Sequence, residues 1–213
     1  MQTRALLFDL DGTLAASESL KGRALADTCA AFGHPVDYRR YADVMGGDWP
    51  TVTGHFFRLA GLDVDQATFN ERFRPRYQQL LADEACLSPG ADALLAAAQA
   101  AGVRLAVVSS AARWMVDAVL QRCGVAGRFE LVISKEDVDR HKPDPAAYLL
   151  ALDKLQLPAS AVYVLEDSAA GLAAARAAGC RCLVLRHDFN HSHDFGSADA
   201  TLHTLADALP LLA

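Results

Sequence analysis

Two aspartates near the start of the chain, Asp9 and Asp11, have the residue type and spacing to hold a metal ion. They stand in the stretch FDLDGTL, after an apolar run at residues 5–8 that predicts a buried strand and before Gly12 and Thr13, which predict a turn. Because side chains alternate along a strand, both carboxylates point to one side. Adjacent carboxylates repel each other unless a cation or a shared proton relieves them, and Mg²⁺ is commonly held by one or two carboxylates. The pair therefore predicts a Mg²⁺ site, with an acidic turn after a strand as the alternative.

Two later segments offer groups that could bind a phosphate. Ser109 and Ser110 end the stretch VVSS before a predicted helix, where a hydroxyl and backbone N–H groups can bind a phosphate oxygen. As the alternative, either serine caps that helix. Lys142, in HKPDP, precedes two prolines that hold the backbone extended and then start a helix. Its ammonium could pair with a phosphoryl group or with the aspartates, and the alternative is a solvated lysine.

A second acid pair, Glu166 and Asp167, ends the apolar run in LEDS. Strand alternation predicts that one of the two points with Asp9 and Asp11 and that the other points elsewhere. Asp167 or Ser168 could instead cap the helix that follows. Four predicted strand ends thus carry polar residues: an acid pair, a serine pair, a lysine and a second acid pair. This pattern is hard to explain as four independent helix caps.

The elements that must position these residues form an α/β pattern. Beyond residue 87, strands are predicted at residues 104–108, 130–133, 162–165 and 182–185, and helices at residues 91–101, 112–123, 145–155 and 169–178. Strands separated by helices of this length predict a parallel sheet with helices on both faces. Open sheets of this kind bind ligands at the carboxyl ends of their strands, where the polar residues stand.

The stretch between the first strand and residue 83 reads as helical throughout. Helices are predicted after Ser17 or Ser19, at residues 51–59 and at residues 66–81. Pro75 should kink or divide the last of these.

The predicted architecture is a Rossmann-like α/β core with an inserted all-helical cap. The core comprises residues 1–14 and 86–213, and the cap comprises residues 15–85. Because the insert leaves from the strand end that carries the aspartates, we expect it to lie above the site as a lid.

Composition narrows the class of protein. The 213 residues are 52% hydrophobic and 22% charged, as is ordinary for a soluble globular protein. A formal net charge of −6 predicts no nucleic-acid partner and no anionic membrane partner. No secretory signal or membrane-spanning run is recognisable, and the five scattered cysteines suit a reducing compartment, so a cytoplasmic location is expected. Three histidines, His187, His191 and His193, could suggest a metal site, but they lack zinc-site spacing and are more typical of a polar loop.

Taken in order, FDLDGTL, VVSS, HKPDP and LEDS resemble the four motifs of the haloacid dehalogenase-like superfamily of Mg²⁺-dependent phosphotransferases. The segments HKPDPAAYLLAL and LEDSAAGLAAARAAG are similar to the subgroup of sugar phosphatases, phosphoglycolate phosphatases and β-phosphoglucomutases, which insert a helical cap after the first motif. The resemblance covers essentially the whole core and the position of the insert, whereas the insert itself matches only loosely.

The resemblance implies a role for each motif residue. Asp9 would be the nucleophile that becomes an aspartyl-phosphate, and Asp11 would protonate the leaving oxygen and then activate water. Mg²⁺ would be held by Asp9, by the backbone carbonyl of Asp11 and by Asp167, with Glu166 assisting. The remaining phosphoryl oxygens would be bound by Ser109, the Ser110 amide and Lys142, which offset the charge spread over the transferring group.

The resemblance implies a phosphatase that acts on a small phosphorylated metabolite, such as a sugar phosphate or phosphoglycolate. Asp11 argues against the dehalogenase branch, which lacks this acid. A β-phosphoglucomutase-type mutase is the alternative, but Met45 to Trp49 offers no basic residue for a second phosphate. Lys21 stands where many relatives have a histidine and is a candidate substrate contact or an exposed lysine of the cap.

A different class of alternative is a non-enzymatic phospho-receiver or binding protein. Receivers have no helical insert after the first strand, and intact acids count against a protein that has lost turnover. The expected oligomeric state is a monomer or weak homodimer.

Overall fold

The computed structural model describes residues 3–212, and within them six parallel strands form one sheet in the order β3-β2-β1-β4-β5-β6. The strands are β1 (Ala5–Phe8), β2 (Arg104–Val108), β3 (Leu131–Ile133), β4 (Val162–Glu166), β5 (Arg181–Leu185) and β6 (Ala200–Leu202). The central strand β1 pairs with β2 and β4, with Phe8 opposite Val107 and Leu165. This register brings the carboxyl ends of the three strands to one edge and confirms the Rossmann-like α/β fold.

The described residues also form seven α-helices. They are α1 (Glu18–Ala31), α2 (Trp49–Ala60), α3 (Gln66–Glu84), α4 (Ala91–Ala100), α5 (Arg113–Arg122), α6 (Ala146–Leu155) and α7 (Ala169–Ala177). Short 3₁₀ segments lie at Tyr38–Asp43, Ala126–Arg128, Lys135–Asp137, Ala159–Ala161 and Leu205–Leu212. No helix in this described part combines the length and apolar character needed to cross a bilayer.

Side-chain alternation along the strands divides the core between the two faces of the sheet. Leu6 and Phe8 of β1 pack with buried residues of α4 and α5. Leu7 of β1 and Val108 of β2 pack on the opposite face with buried residues of α6 and α7. Helices on both faces exclude water from both sides of the sheet, which explains why its strands are nearly continuous apolar runs.

Helices α1, α2 and α3 follow β1 directly and precede α4. The chain leaves and re-enters the sheet region through two adjacent segments. Ala15 and Leu87 form an antiparallel bridge there, and the backbone N–H of Ser88 donates to the carbonyl of Leu14 at 2.9 Å. The apolar cluster on the α4/α5 face continues into these three helices, so they pack onto the rest of the protein.

Helix α3 runs unbroken through Pro75, and the predicted division there is wrong. Proline inside a helix costs about 3 kcal/mol because it removes one hydrogen bond and crowds the preceding turn. Phe73 and Tyr77 flank the proline and are both buried, and burying an aromatic side chain offsets a cost of this size. Tertiary packing therefore keeps the helix continuous.

The last part of the described chain differs most from expectation. Strand β6 and the 3₁₀ segment Leu205–Leu212 were not among the predicted elements. Strand β6 has three residues, of which Ala200 and Thr201 are exposed, so it carries almost no apolar periodicity. It is recognisable only from its pairing with β5 at the edge of the sheet.

Candidate active site

A cavity of about 520 Å³ lies at the carboxyl ends of β1, β2 and β4, between the sheet and the helices α1 to α3. Apart from Glu166, all of the candidate catalytic, phosphate-binding and metal-binding residues line it: Asp9, Asp11, Lys21, Ser109, Ser110, Lys142 and Asp167. Glu166 is fully buried and reaches the same place through its contact with Lys142. The topology thus brings together groups that are up to 158 positions apart in the chain, as from Asp9 to Asp167.

Lys142 is held between two acids and is not a solvated lysine. Its Nζ atom donates to Oδ1 of Asp9 at 2.5 Å, to Oε1 of Glu166 at 2.6 Å and to the carbonyl of Val108 at 2.9 Å. Burial lowers the pKa of this amine, but Asp9 and Glu166 outweigh burial and raise the pKa above its ordinary value. The side chain therefore stays a cation in the site.

Three carboxylates converge next to this cation. Asp9, Glu166 and Asp167 each offer one oxygen, and these oxygens lie within 4.8 Å of one another. The expectation that one residue of the second acid pair points elsewhere is wrong, because Glu166 folds back over the first turn of α7. Gly171 makes room for it there, since a Cβ atom at this position would lie 1.9 Å from Cδ of Glu166.

The electrostatics of this acid cluster suit a divalent cation. Burial raises the pKa of Asp9 well above its ordinary value, and the Lys142 ammonium opposes that rise. The pKa of Asp167 is also raised, first by burial and then by the charges of Glu18 and Glu166. Three carboxylates against one ammonium leave an excess of negative charge, and all the side-chain donors are oxygens, which Mg²⁺ prefers. The residues present therefore fit Mg²⁺.

Asp11 faces a different group of partners from Asp9. Its Oδ1 accepts a hydrogen bond from the hydroxyl of Ser17 at 2.6 Å, and the hydroxyl of Tyr77 lies 3.5 Å away. The carboxylate of Asp11 is not part of the acid cluster. A metal contact through the backbone carbonyl of Asp11 stays a prediction. Ser17 lies just before α1 but makes no capping hydrogen bond, because its hydroxyl donates to the carboxylate of Asp11 instead.

Neither serine after β2 caps a helix. Helix α5 begins after Ala112, and the Oγ atom of Ser109 accepts from the N–H of Ala111 at 3.0 Å in the preceding turn. Ser109 is buried, whereas Ser110 is exposed at the cavity wall. At the end of β4, Ser168 caps α7 by accepting from the N–H of Gly171 at 3.0 Å, so Asp167 is not needed as a cap.

The helical insert contributes two basic side chains to the cavity. Lys21 has a side chain that is only 19% exposed and lies 3.4 Å from Glu18, so it is not an exposed lysine. Burial lowers its pKa, but Glu18, Tyr41 and Asp11 outweigh burial and raise that pKa well above the ordinary value. Arg74, on α3, was not singled out in the sequence, and its guanidinium lies 5.1 Å from the ring of Trp114.

Two further residues contact the acids and were not recognised from the sequence. The hydroxyl of Tyr148 donates to Oε1 of Glu166 at 2.6 Å, and Nε2 of His187 lies 2.8 Å from Oδ2 of Asp167. Tyr148 carries a signal in the sequence, since it follows HKPDP closely on a predicted helix. His187 was recognisable in the sequence only as part of a polar loop, because the fold alone brings that loop to the end of β4.

The chain resembles known proteins over nearly its full length. A model of the haloacid dehalogenase-like hydrolases matches residues 3–179. Protein CbbY of Rhodobacter capsulatus is 34% identical, with 98% of this chain and 96% of that protein covered. A phosphoglycolate phosphatase of Pectobacterium atrosepticum is 32% identical, with 98% and 92% covered. The crystal structure of a variant of CbbY from Rhodobacter sphaeroides in complex with xylulose-(1,5)bisphosphate is 33% identical, covers 97% of this chain and 96% of that chain, and has a TM-score of 0.82.

Proposed function

The chain belongs to the haloacid dehalogenase-like hydrolases and is a phosphoric monoester hydrolase, and from this we propose that it is a Mg²⁺-dependent phosphatase that hydrolyses a small sugar phosphate through an aspartyl-phosphate on Asp9. One observation carries the proposal. The Asp9 carboxylate lies in the cavity against the Lys142 ammonium and beside two further acids, so a nucleophile, a cation for phosphate and a metal cluster meet at one point.

In the first step, a carboxylate oxygen of Asp9 attacks the phosphorus of the substrate. The bond from phosphorus to the ester oxygen breaks, and Asp11, which lines the cavity nearby, gives its proton to the departing alkoxide. Lys142, the hydroxyl of Ser109 and the backbone N–H of Ser110 bind the other phosphoryl oxygens, where negative charge is spread in the transition state.

In the second step, the aspartyl-phosphate is hydrolysed. Asp11 takes a proton from water, the water oxygen attacks phosphorus, and the bond between phosphorus and Asp9 breaks to release inorganic phosphate. When bound by Asp9, Asp167 and Glu166, Mg²⁺ would neutralise charge on the phosphoryl oxygens. The role of the chain itself is to hold Asp9 and Asp11 as neighbours with unequal tasks, which different environments make possible.

We assign residues 15–85 as a cap over this chemistry. The two adjacent connections at Ala15 and Leu87 would act as its hinge, and Lys21 and Trp49 bring cap side chains to the cavity wall. A cap of this kind excludes water and selects the substrate. The bound xylulose-(1,5)bisphosphate in the CbbY variant supports a phosphorylated sugar as the substrate class.

The direct test is phosphate release from a panel of sugar monophosphates, sugar bisphosphates, phosphoglycolate and nucleotides. We expect turnover of at least one sugar phosphate with Mg²⁺ and none after chelation with EDTA. Full activity in EDTA would contradict the metal role, and hydrolysis of nucleotides alone would contradict the substrate class.

A further inference from the structure

His187 lies just after β5, in the loop that leads to β6. Its ring is not a member of the acid cluster but contacts one of the three acids, Asp167. Its Nδ1 atom accepts from the N–H of Phe189 at 3.2 Å, while Nε2 lies 2.8 Å from Oδ2 of Asp167. Because Nδ1 is the acceptor, a neutral ring carries its hydrogen on Nε2. His187 therefore donates to Asp167.

The loop that carries His187 is tied to Asp167 by a second route. Asn190 is fully buried, and its Nδ2 atom donates to the carbonyl of Asp167 at 2.9 Å and to the carbonyl of Leu185 at 2.8 Å. Its Oδ1 atom accepts from the backbone N–H of His187 at 3.1 Å. Both the backbone and the side chain of Asp167 are thus fixed by one short segment of the chain.

The turn after β1 confines Asp167 from the other side. Gly12 has a φ of +80°, and a Cβ atom there would lie 2.0 Å from Oδ2 of Asp167 and 2.9 Å from Nε2 of His187. Only glycine fits beside the hydrogen-bonded pair, which explains part of the FDLDGTL stretch. The Asp167 carboxylate is therefore packed between His187 and the backbone of Gly12.

The same loop also touches the helical insert. The ring of Phe189 packs against Tyr38 and Tyr41, with ring centroids 6.4 Å and 6.1 Å apart. Tyr41 lines the cavity. His187 is therefore presented by a loop that is held on one side by the acid site and on the other by the insert.

We propose that His187 is a positioning residue that holds the Asp167 carboxylate in the orientation needed to bind a divalent cation. This inference rests on the proposed function, in which Asp167 is a ligand. Carboxylates that bind metals are commonly held by outer hydrogen-bond donors, and loss of such a donor weakens metal affinity by about 10–100-fold.

The experiment is calorimetric titration of the full chain with Mg²⁺ alone, without substrate. His187→Leu removes the donor and keeps bulk, whereas His187→Gln can still donate an amide N–H. We expect His187→Leu to weaken Mg²⁺ binding by about tenfold or more and His187→Gln to retain most of the affinity. The matched control is His191→Ala, an exposed histidine on the same loop, which should bind Mg²⁺ as the wild type does.

The outcomes separate this inference from the proposed function. If the wild type binds Mg²⁺ and His187→Leu binds it equally well, the positioning role is wrong and the proposed function stands. Equal weakening in His191→Ala would also overturn the positioning role, because it would show a general effect of the loop. If the wild type binds no Mg²⁺, the proposed function itself fails. Should His187→Leu not fold, His187→Ala makes the same comparison.

Discussion

The Nζ atom of Lys142 lies 2.6 Å from Oε1 of Glu166, and both side chains are almost completely buried. The two residues are 24 positions apart in the chain, with Lys142 in the loop before α6 and Glu166 at the end of β4. A buried carboxylate needs a compensating charge, so Lys142 has a structural task in addition to any contact with phosphate. The consequences of this contact can be measured.

Replacing Lys142 should impair both activity and stability. In Lys142→Ala, Asp9 and Glu166 lose their shared cation, and breaking a buried ion pair costs about 3–5 kcal/mol of unfolding free energy. Loss of a preorganised donor should also lower kcat by about a hundredfold or more. Urea unfolding and steady-state kinetics measure the two effects, with Lys154→Ala on the exposed side of α6 as control. An unchanged unfolding midpoint would show that the pair does not stabilise the fold.

The hydroxyl of Tyr148 should matter through its contact with Glu166. Tyr148→Phe removes the hydroxyl that donates to Glu166 at 2.6 Å, and a hydrogen bond to a charged group contributes about 1.5–3 kcal/mol to stability. We expect a loss of that order in chemical unfolding, together with reduced kcat. The control is Tyr163→Phe, whose hydroxyl bonds the partly exposed Arg181. Equal losses in both variants would argue against a special role for the contact with Glu166.

Two glycines provide a matched steric test. In Gly171→Ala the new Cβ atom would overlap the Glu166 carboxylate at 1.9–2.0 Å, whereas Gly127 has no neighbouring atom within 4 Å of the corresponding position. Because Glu166 cannot move without leaving Lys142, Gly171→Ala should lose most activity. Gly127→Ala should retain wild-type activity. Retained activity in Gly171→Ala would mean that the position of Glu166 is not critical.

Metal should also stabilise the folded protein. A ligand that binds only the folded state stabilises it by about 2.7 kcal/mol at one hundred times its Kd, so Mg²⁺ should raise Tm and EDTA should lower it. Asp167→Ala, which removes one member of the acid cluster, should abolish the shift. A shift of equal size in this variant would place the metal elsewhere.

Much of this architecture is readable from the sequence because its signals are local. The apolar run before Asp9 and the regular alternation of strands and helices predict where the polar strand ends meet. The direction of Glu166 was not predictable in this way, because it depends on the space left by Gly171 on the next helix. His187 and β6 depend on contacts between distant segments, and neither leaves a periodic pattern.

The central claim, that Asp9 carries the phosphoryl group, is tested most directly by trapping the intermediate. The enzyme is mixed with its sugar phosphate and Mg²⁺, quenched during turnover, reduced with borohydride and digested for peptide mass spectrometry. An aspartyl-phosphate is reduced to homoserine, so we expect homoserine at position 9 in the wild type and neither homoserine nor turnover in Asp9→Asn. Full turnover by Asp9→Asn, or reduction at a different residue, would contradict the account.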